Sequence, residues 1–197
     1  MISIDEIKLS IDDRRLSRQN PEYKRIYRTV NTVIDGEFWE HVKPLSHESL
    51  KLTGFRERFV NGMEWEETSL FTDYNMQLMR KVKVQGCYSL DELVDLYKRQ
   101  HDTLYHRLVV EGVKSARGNV NITPIYVYIN KDGEFVFTSG GNHRLNMAKV
   151  IGLKAIPVRV RGRHVEWQRI RDELYNVGSA EFFNRYPHFE RHPDLVD

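Results

Sequence analysis

Hydrophobic and polar positions repeat with two different periods along this chain, and each change of period marks a change of element. Residues 125–129, Ile-Tyr-Val-Tyr-Ile, form a β-branched and aromatic run, Asn130-Lys131-Asp132-Gly133 is turn chemistry, and Glu134-Phe135-Val136-Phe137-Thr138 is a second such run. This predicts a β-hairpin. After Ser139-Gly140-Gly141, the positions Leu145, Ala148, Lys149 and Ile151 keep a helical spacing up to Gly152, which is placed to end the helix. Ile156-Pro157-Val158-Arg159-Val160 then reads as another strand. The predicted unit is strand, turn, strand, glycine loop, helix, strand.

The first half is patterned more weakly. Ile2 to Leu9 alternates briefly, Asp12-Asp13-Arg14-Arg15-Leu16-Ser17-Arg18 is densely charged, and Tyr23 to Ile34 is expected to contain a strand ending near Asp35-Gly36. Helices are predicted over Ser46 to Val60, capped by Ser46, and from Thr68 to about Val82. A stronger one starts at Ser89, where a serine precedes Asp91-Glu92 and a Leu93, Leu96, Tyr97 stripe, and it extends to Val110. Phe59, Gly62, Trp65 and Thr68 recur every third residue, which suggests a helix end, a turn and a new helix capped by Thr68, with Trp65 as the apolar anchor. A substrate contact by Trp65 or Glu67 stays open beside that reading. Residues 115–119 read as a loop, and Val165 to Tyr175 and Ala180 to Tyr186 as closing helices.

The chemistry concentrates at Ser139-Gly140-Gly141-Asn142-His143-Arg144. Two glycines let the backbone turn tightly and approach a ligand, and the helix behind them points N–H groups and its positive dipole end at an anion. Arg144 adds a planar fork of donors suited to phosphate oxygens. The plainer account is a hairpin-to-helix turn in which the glycines serve chain geometry and Arg144 pairs with a carboxylate. Two roles are open to His143: contact with the phosphates, or a hydrogen bond to backbone that holds the loop.

The run G-G-N-H-R-L-N-M-A-K-V-I-G-L-K-A-I-P-V-R-V, with the hairpin before it, resembles the core of the ParB/sulfiredoxin superfamily over Pro124 to Val160, and Leu108 to Gly112 resembles the end of the helix preceding that core. The resemblance implies an α+β fold with a small mixed sheet and flanking helices. It also implies one domain, with a helical N-terminal elaboration over about 1–88, the core over about 89–163 and closing helices over about 164–197. Members of the superfamily include CTP-hydrolysing partition proteins, ATP-dependent sulfiredoxins and nucleotide-dependent free-serine kinases, so the resemblance implies a nucleotide phosphate at this loop, from ATP, ADP or CTP with Mg2+. Two departures narrow this. Sulfiredoxins carry a cysteine where this chain has Asn142, and the one cysteine here is Cys87; the partition proteins follow the core with an E-N-L-Q-R-like segment and a helix-turn-helix, and Arg161-Gly162-Arg163-His164-Val165-Glu166-Trp167 follows it here.

Composition changes this picture little. A chain of 197 residues with 40% hydrophobic content can bury a core, and a net charge of +2 permits nucleic-acid contact without demanding it. One cysteine rules out an internal disulfide, no charged-then-apolar leader opens the chain, and no apolar run approaches the ~20 residues of a membrane span, so a cytoplasmic protein with no membrane partner is expected. The segment Arg161-Gly162-Arg163-His164 either reaches over the phosphates or clamps a second anion, or forms a solvated basic turn; Asp12, Asp13 and Glu111 are the acids nominated for Mg2+ or general-base work, or else are surface charges. His101 and His106, five apart, fall on different helix faces, His188 and His192 sit among Pro187 and Pro193, and zinc would want a tighter set of ligands. Two function classes follow. In one, an enzyme transfers or hydrolyses a phosphoryl group to an unidentified acceptor, with Ser139 to Arg144 cradling phosphates and Arg144 and His143 in catalysis. In the other, a nuclease or nucleic-acid-binding module uses Arg14, Arg15, Arg18, Lys24, Arg25 and Arg28 as a phosphate-tracking stripe.

Overall fold

A computed structural model describes residues 1–46, 49–112 and 124–196. In chain order the elements are β1 (Ile2–Ser3), β2 (Leu9–Ser10), α1 (Asp13–Gln19), α2 (Pro21–Arg28), β3 (Thr32–Ile34), β4 (Lys43–Pro44), α3 (Leu50–Phe59), α4 (Ser69–Met79), α5 (Leu90–Tyr97) and α6 (Thr103–Glu111). There follow β5 (Ile125–Ile129), β6 (Phe135–Phe137), α7 (Asn142–Ile151), β7 (Ala155–Ile156), β8 (Val158–His164), α8 (Val165–Val177) and α9 (Ser179–Arg185). The fold is mixed α+β. The expected loop at 115–119 lies outside the described residues.

These elements sort into two compact units that interleave along the chain. One unit comprises the described residues of 1–45, 124–141 and 154–196 and holds all the strands. Its main sheet has the order β3-β8-β5-β6-β2-β4, and β1 pairs separately with β7. The predicted hairpin is present as antiparallel β5 and β6, while β8 runs parallel to both β5 and β3. Strand β8 continues past Val160 to His164, so the basic segment 161–164 belongs to a strand paired with β3 and β5 and is not a turn. A bulge interrupts it: Val160 opposes Val127 and Gly162 opposes Tyr128, leaving Arg161 as the extra residue. Gly162 is required there, because a Cβ would lie 2.9 Å from the Thr32 carbonyl oxygen and 2.6 Å from Ile34 Cδ1.

The segment expected to hold a strand between Tyr23 and Ile34 does so only at its end. Before it stand two short helices joined through one extended residue, Asn20. The Asp12 carboxylate accepts from the Arg15 N–H to cap α1, the Asn20 side chain accepts from the Glu22 N–H to cap α2, and Pro21 takes the first turn, where its missing N–H costs nothing. Leu16 and Ile26 are buried with Ile11, Ile34, Phe38, Tyr128 and Val136.

The other unit, residues 46, 49–112 and 142–153, is helical. Its core packs Phe55, Trp65, Phe71, Leu93, Tyr97 and Met147. Ser49, and not Ser46, caps α3, accepting from the Leu52 N–H, whereas Thr68 and Ser89 cap α4 and α5 as their positions predict. Gly54 lets α3 meet α4: a Cβ there would sit 2.4 Å from Leu70 Cβ. The helix predicted from Ser89 is continuous to Glu111 but contains a π segment, Lys98–Asp102, between α5 and α6. No helix among the described residues is long and apolar enough to cross a membrane.

Candidate functional site

The glycine loop crosses from the sheet unit to the helical unit at the Gly141–Asn142 bond. On the sheet side it is held by Asp13, the second residue of the charged run. Asp13 is 1% exposed. Its Oδ1 accepts from the Ser139 N–H at 3.1 Å and the Ser139 hydroxyl at 2.6 Å, and its Oδ2 accepts from the Tyr128 hydroxyl at 3.2 Å and the Arg161 guanidinium at 2.9 Å. The bulge in β8 delivers Arg161 to this position, and its guanidinium lies over the rings of Tyr27 and Tyr126 at 4.7 and 4.2 Å. Asp13 is thus neither a surface charge nor an open base; one carboxylate oxygen fixes the first residue of the loop and the other is held by Tyr128 and Arg161. The Gly140 N–H donates to Thr138 Oγ1 at 3.0 Å. Gly141 has φ +83°, and a Cβ on it would lie 2.9 Å from Ile125 Cα, so this position excludes a side chain for two separate reasons.

On the helical side, Asn142 opens α7 and its side-chain oxygen and carbonyl both accept from Asn146 Nδ2. His143 lies among aromatic side chains. Its ring packs at 4.3 Å on His101, with Phe55 and Tyr97 around it, and its Nε2 lies 3.4 Å from the Tyr97 hydroxyl, which in turn is 3.1 Å from the Tyr74 hydroxyl. Burial, then the nearby Lys51 charge and His101, pull the His143 imidazole down to about 2, and burial and Lys51 pull His101 down to about 4. Both rings are therefore neutral in the folded protein at neutral pH. His101 is 8% exposed, sits in the π segment, and has a buried Nδ1 with no hydrogen-bond partner.

Lys51, on α3, completes the group. Burial pulls its ammonium below the ordinary lysine value, and it makes no ion pair among the described residues. Arg144 is likewise pulled down by burial and by the like charge of Arg107. The first turn of α7 therefore lies in an environment where two cations are partly desolvated and the histidines beside them carry no charge. An anion at the first turn of α7 would meet the helix N-terminus and Arg144, and Lys51 lies near the His143 ring.

The remaining candidates have structural partners. Arg163 gives its fork to Asp194, Nε to Oδ2 at 2.8 Å and Nη2 to Oδ1 at 2.5 Å, and Asp194 also accepts from the Trp167 indole and pairs with Arg171. The His164 Nδ1 accepts from the Glu166 N–H and caps α8. Asp12 caps α1, Trp65 is fully buried with its indole N–H on Asp102, and the Glu67 carboxylate accepts from the Glu64 N–H. Glu111 ends α6 at the surface, in the same unit as Arg144. No three His, Cys, Asp or Glu side chains gather as metal ligands among the described residues.

No family model, curated protein or solved structure matches this chain.

Sequence reasoning missed Lys51, weighed His101 only as a metal ligand, and took Arg161 only as part of the basic segment 161–164. His101 had a signal, since it continues the Leu93 and Tyr97 stripe at i+8 and i+4 and so falls on the buried helix face. Lys51 and Arg161 had none, because one depends on which helix face is covered and the other on a bulge.

Proposed function

We propose that this protein is a nucleotide-binding member of the ParB/sulfiredoxin superfamily that holds the phosphates of ATP, ADP or CTP at the start of α7 and transfers or hydrolyses a phosphoryl group. Support comes above all from Lys51: a half-buried ammonium with no ion pair among the described residues is costly to keep unless an anion joins it. In this reading Lys51, Arg144 and the first-turn N–H groups of α7 receive phosphate oxygens, and Arg144 stabilises charge on the transferring group. His143 serves as packing that orients the turn through Tyr97 and His101. Mg2+ accompanies the phosphates, and Glu111 remains the acid nominated to activate the acceptor.

A thermal-shift titration with ATP, ADP, CTP and GTP, with and without Mg2+, tests the reading. At a hundredfold excess over the dissociation constant, one of these nucleotides should stabilise the protein by about 2.7 kcal/mol. Lys51→Met should raise the ligand-free melting temperature, by removing a poorly solvated charge, and abolish the nucleotide-dependent shift; Arg144→Ala should also abolish it. Flat curves for all four nucleotides, or full shifts in Lys51→Met, would sink the proposal.

A further inference from the structure

The charged run and the segment after it carry the same pattern twice, ten residues apart. Arg14, Arg15 and Arg18 on α1 stand at i, i+1 and i+4, as do Lys24, Arg25 and Arg28 on α2. At about 100° per residue, each trio spans an arc of about 100°. The buried residue of each helix, Leu16 or Ile26, lies about 150° from the middle of that arc, so both helices turn their cations away from the core. All six are exposed, and none makes an ion pair among the described residues. Of the three acids in residues 12–28, Asp13 is buried on Arg161, Asp12 caps the Arg15 N–H and Glu22 stands at the N-terminal turn of α2. Six exposed cations thus face two exposed carboxylates within one pair of packed helices.

We infer that the exposed face of α1 and α2 binds the sugar-phosphate backbone of a nucleic acid. Five of the six cations are arginines, whose forks match phosphate oxygens, and the surface offers Gln19 and Thr29 as further hydrogen-bonding groups. A membrane surface fits less well, because the apolar residues of both helices, Leu16 and Ile26, are already committed to the core and leave no apolar face to insert. The surface is separate from the α7 site and does not depend on the nucleotide reading.

Fluorescence anisotropy with a labelled 20-base-pair DNA duplex and a labelled 20-nucleotide single-stranded RNA, at about 50 and 200 mM NaCl, decides the matter. The wild-type protein should bind one or both at the lower salt and lose about 10³-fold in duplex affinity at the higher, as expected when about six phosphates are neutralised. The quadruple change Arg14→Gln, Arg18→Gln, Arg25→Gln, Arg28→Gln alters only exposed groups, so its circular dichroism should be unchanged while binding at the lower salt falls by more than 10²-fold and the slope of log affinity against log salt drops by about 3.6, about 0.9 for each of four contacts. Lys51→Met should bind as the wild type does. Absence of binding to both probes at the lower salt, equal binding by the folded quadruple variant, or binding confined to phosphatidylserine vesicles would each overturn the inference.

Discussion

Replacing Asp13 isolates what holds the glycine loop. Its carboxylate is almost wholly excluded from water and faces Arg161, whose side chain is 9% exposed, so removing it strands a buried guanidinium whose Nε already lacks a partner. Breaking such a pair on one side costs about 3–5 kcal/mol, and the Ser139 and Tyr128 donors lose their acceptor as well. Against a total stability of about 5–15 kcal/mol this is large, and it corresponds to a fall in melting temperature of about 10 °C in a chain of this size. Asp13→Asn keeps the shape and two acceptor contacts but not the charge, so it should lose about 2–4 kcal/mol. The double variant Asp13→Asn, Arg161→Met removes the unpaired charge and should recover about 2 kcal/mol of that loss. Urea unfolding followed by tryptophan fluorescence is a suitable assay, because Trp39 and Trp167 both lie in the sheet unit. If Asp13→Asn stays within about 1 kcal/mol of the wild type, or the double variant is no more stable than the single one, the buried pair is not what fixes the loop.

The histidine pair makes stability fall with acid in a definite window. His101 and His143 have folded-state values of about 4 and about 2 against an ordinary 6.5, so the unfolded chain takes up their protons first. Stability contributed by keeping them neutral is complete above 6.5 and is lost as the pH drops below it, by about 2 kcal/mol per histidine on reaching about pH 5. His143→Gln should remove about half of that dependence in urea unfolding at the two pH values, and a wild type equally stable at both would refute the assignment. Gly54→Ala should destabilise the helical unit even though alanine favours a helix by about 1 kcal/mol, because overpacking against Leu70 costs about 1–3 kcal/mol. Leu70→Ala should not rescue it, since the obstructing atom is the Cβ that alanine keeps; rescue in thermal melts would show that the outer Leu70 atoms set the limit.

Elements with a local cause were legible in the residues themselves. The hairpin of β5 and β6 follows from two β-branched runs around Asn130 to Gly133, the caps at Thr68 and Ser89 from hydroxyls placed before apolar stripes, and α7 from its spacing up to Gly152. Helices α1 and α2 were missed although Asp12, Asn20 and Pro21 signal them, because dense charge masked a stripe of one apolar residue per helix. Of the candidate site, the glycine loop and Arg144 were nominated from the loop's residues together with the resemblance over Pro124 to Val160.

Which charged groups are open to a ligand could not be. Asp13, Arg163 and Arg161 look like surface charges in the sequence, and each is buried against a partner at least 31 residues away. Lys51 looks as ordinary as they do, and it makes no ion pair among the described residues. The difference is a matter of desolvation and long-range pairing, both set by chain segments distant in sequence, so only the tertiary structure decides which charges are buried and paired.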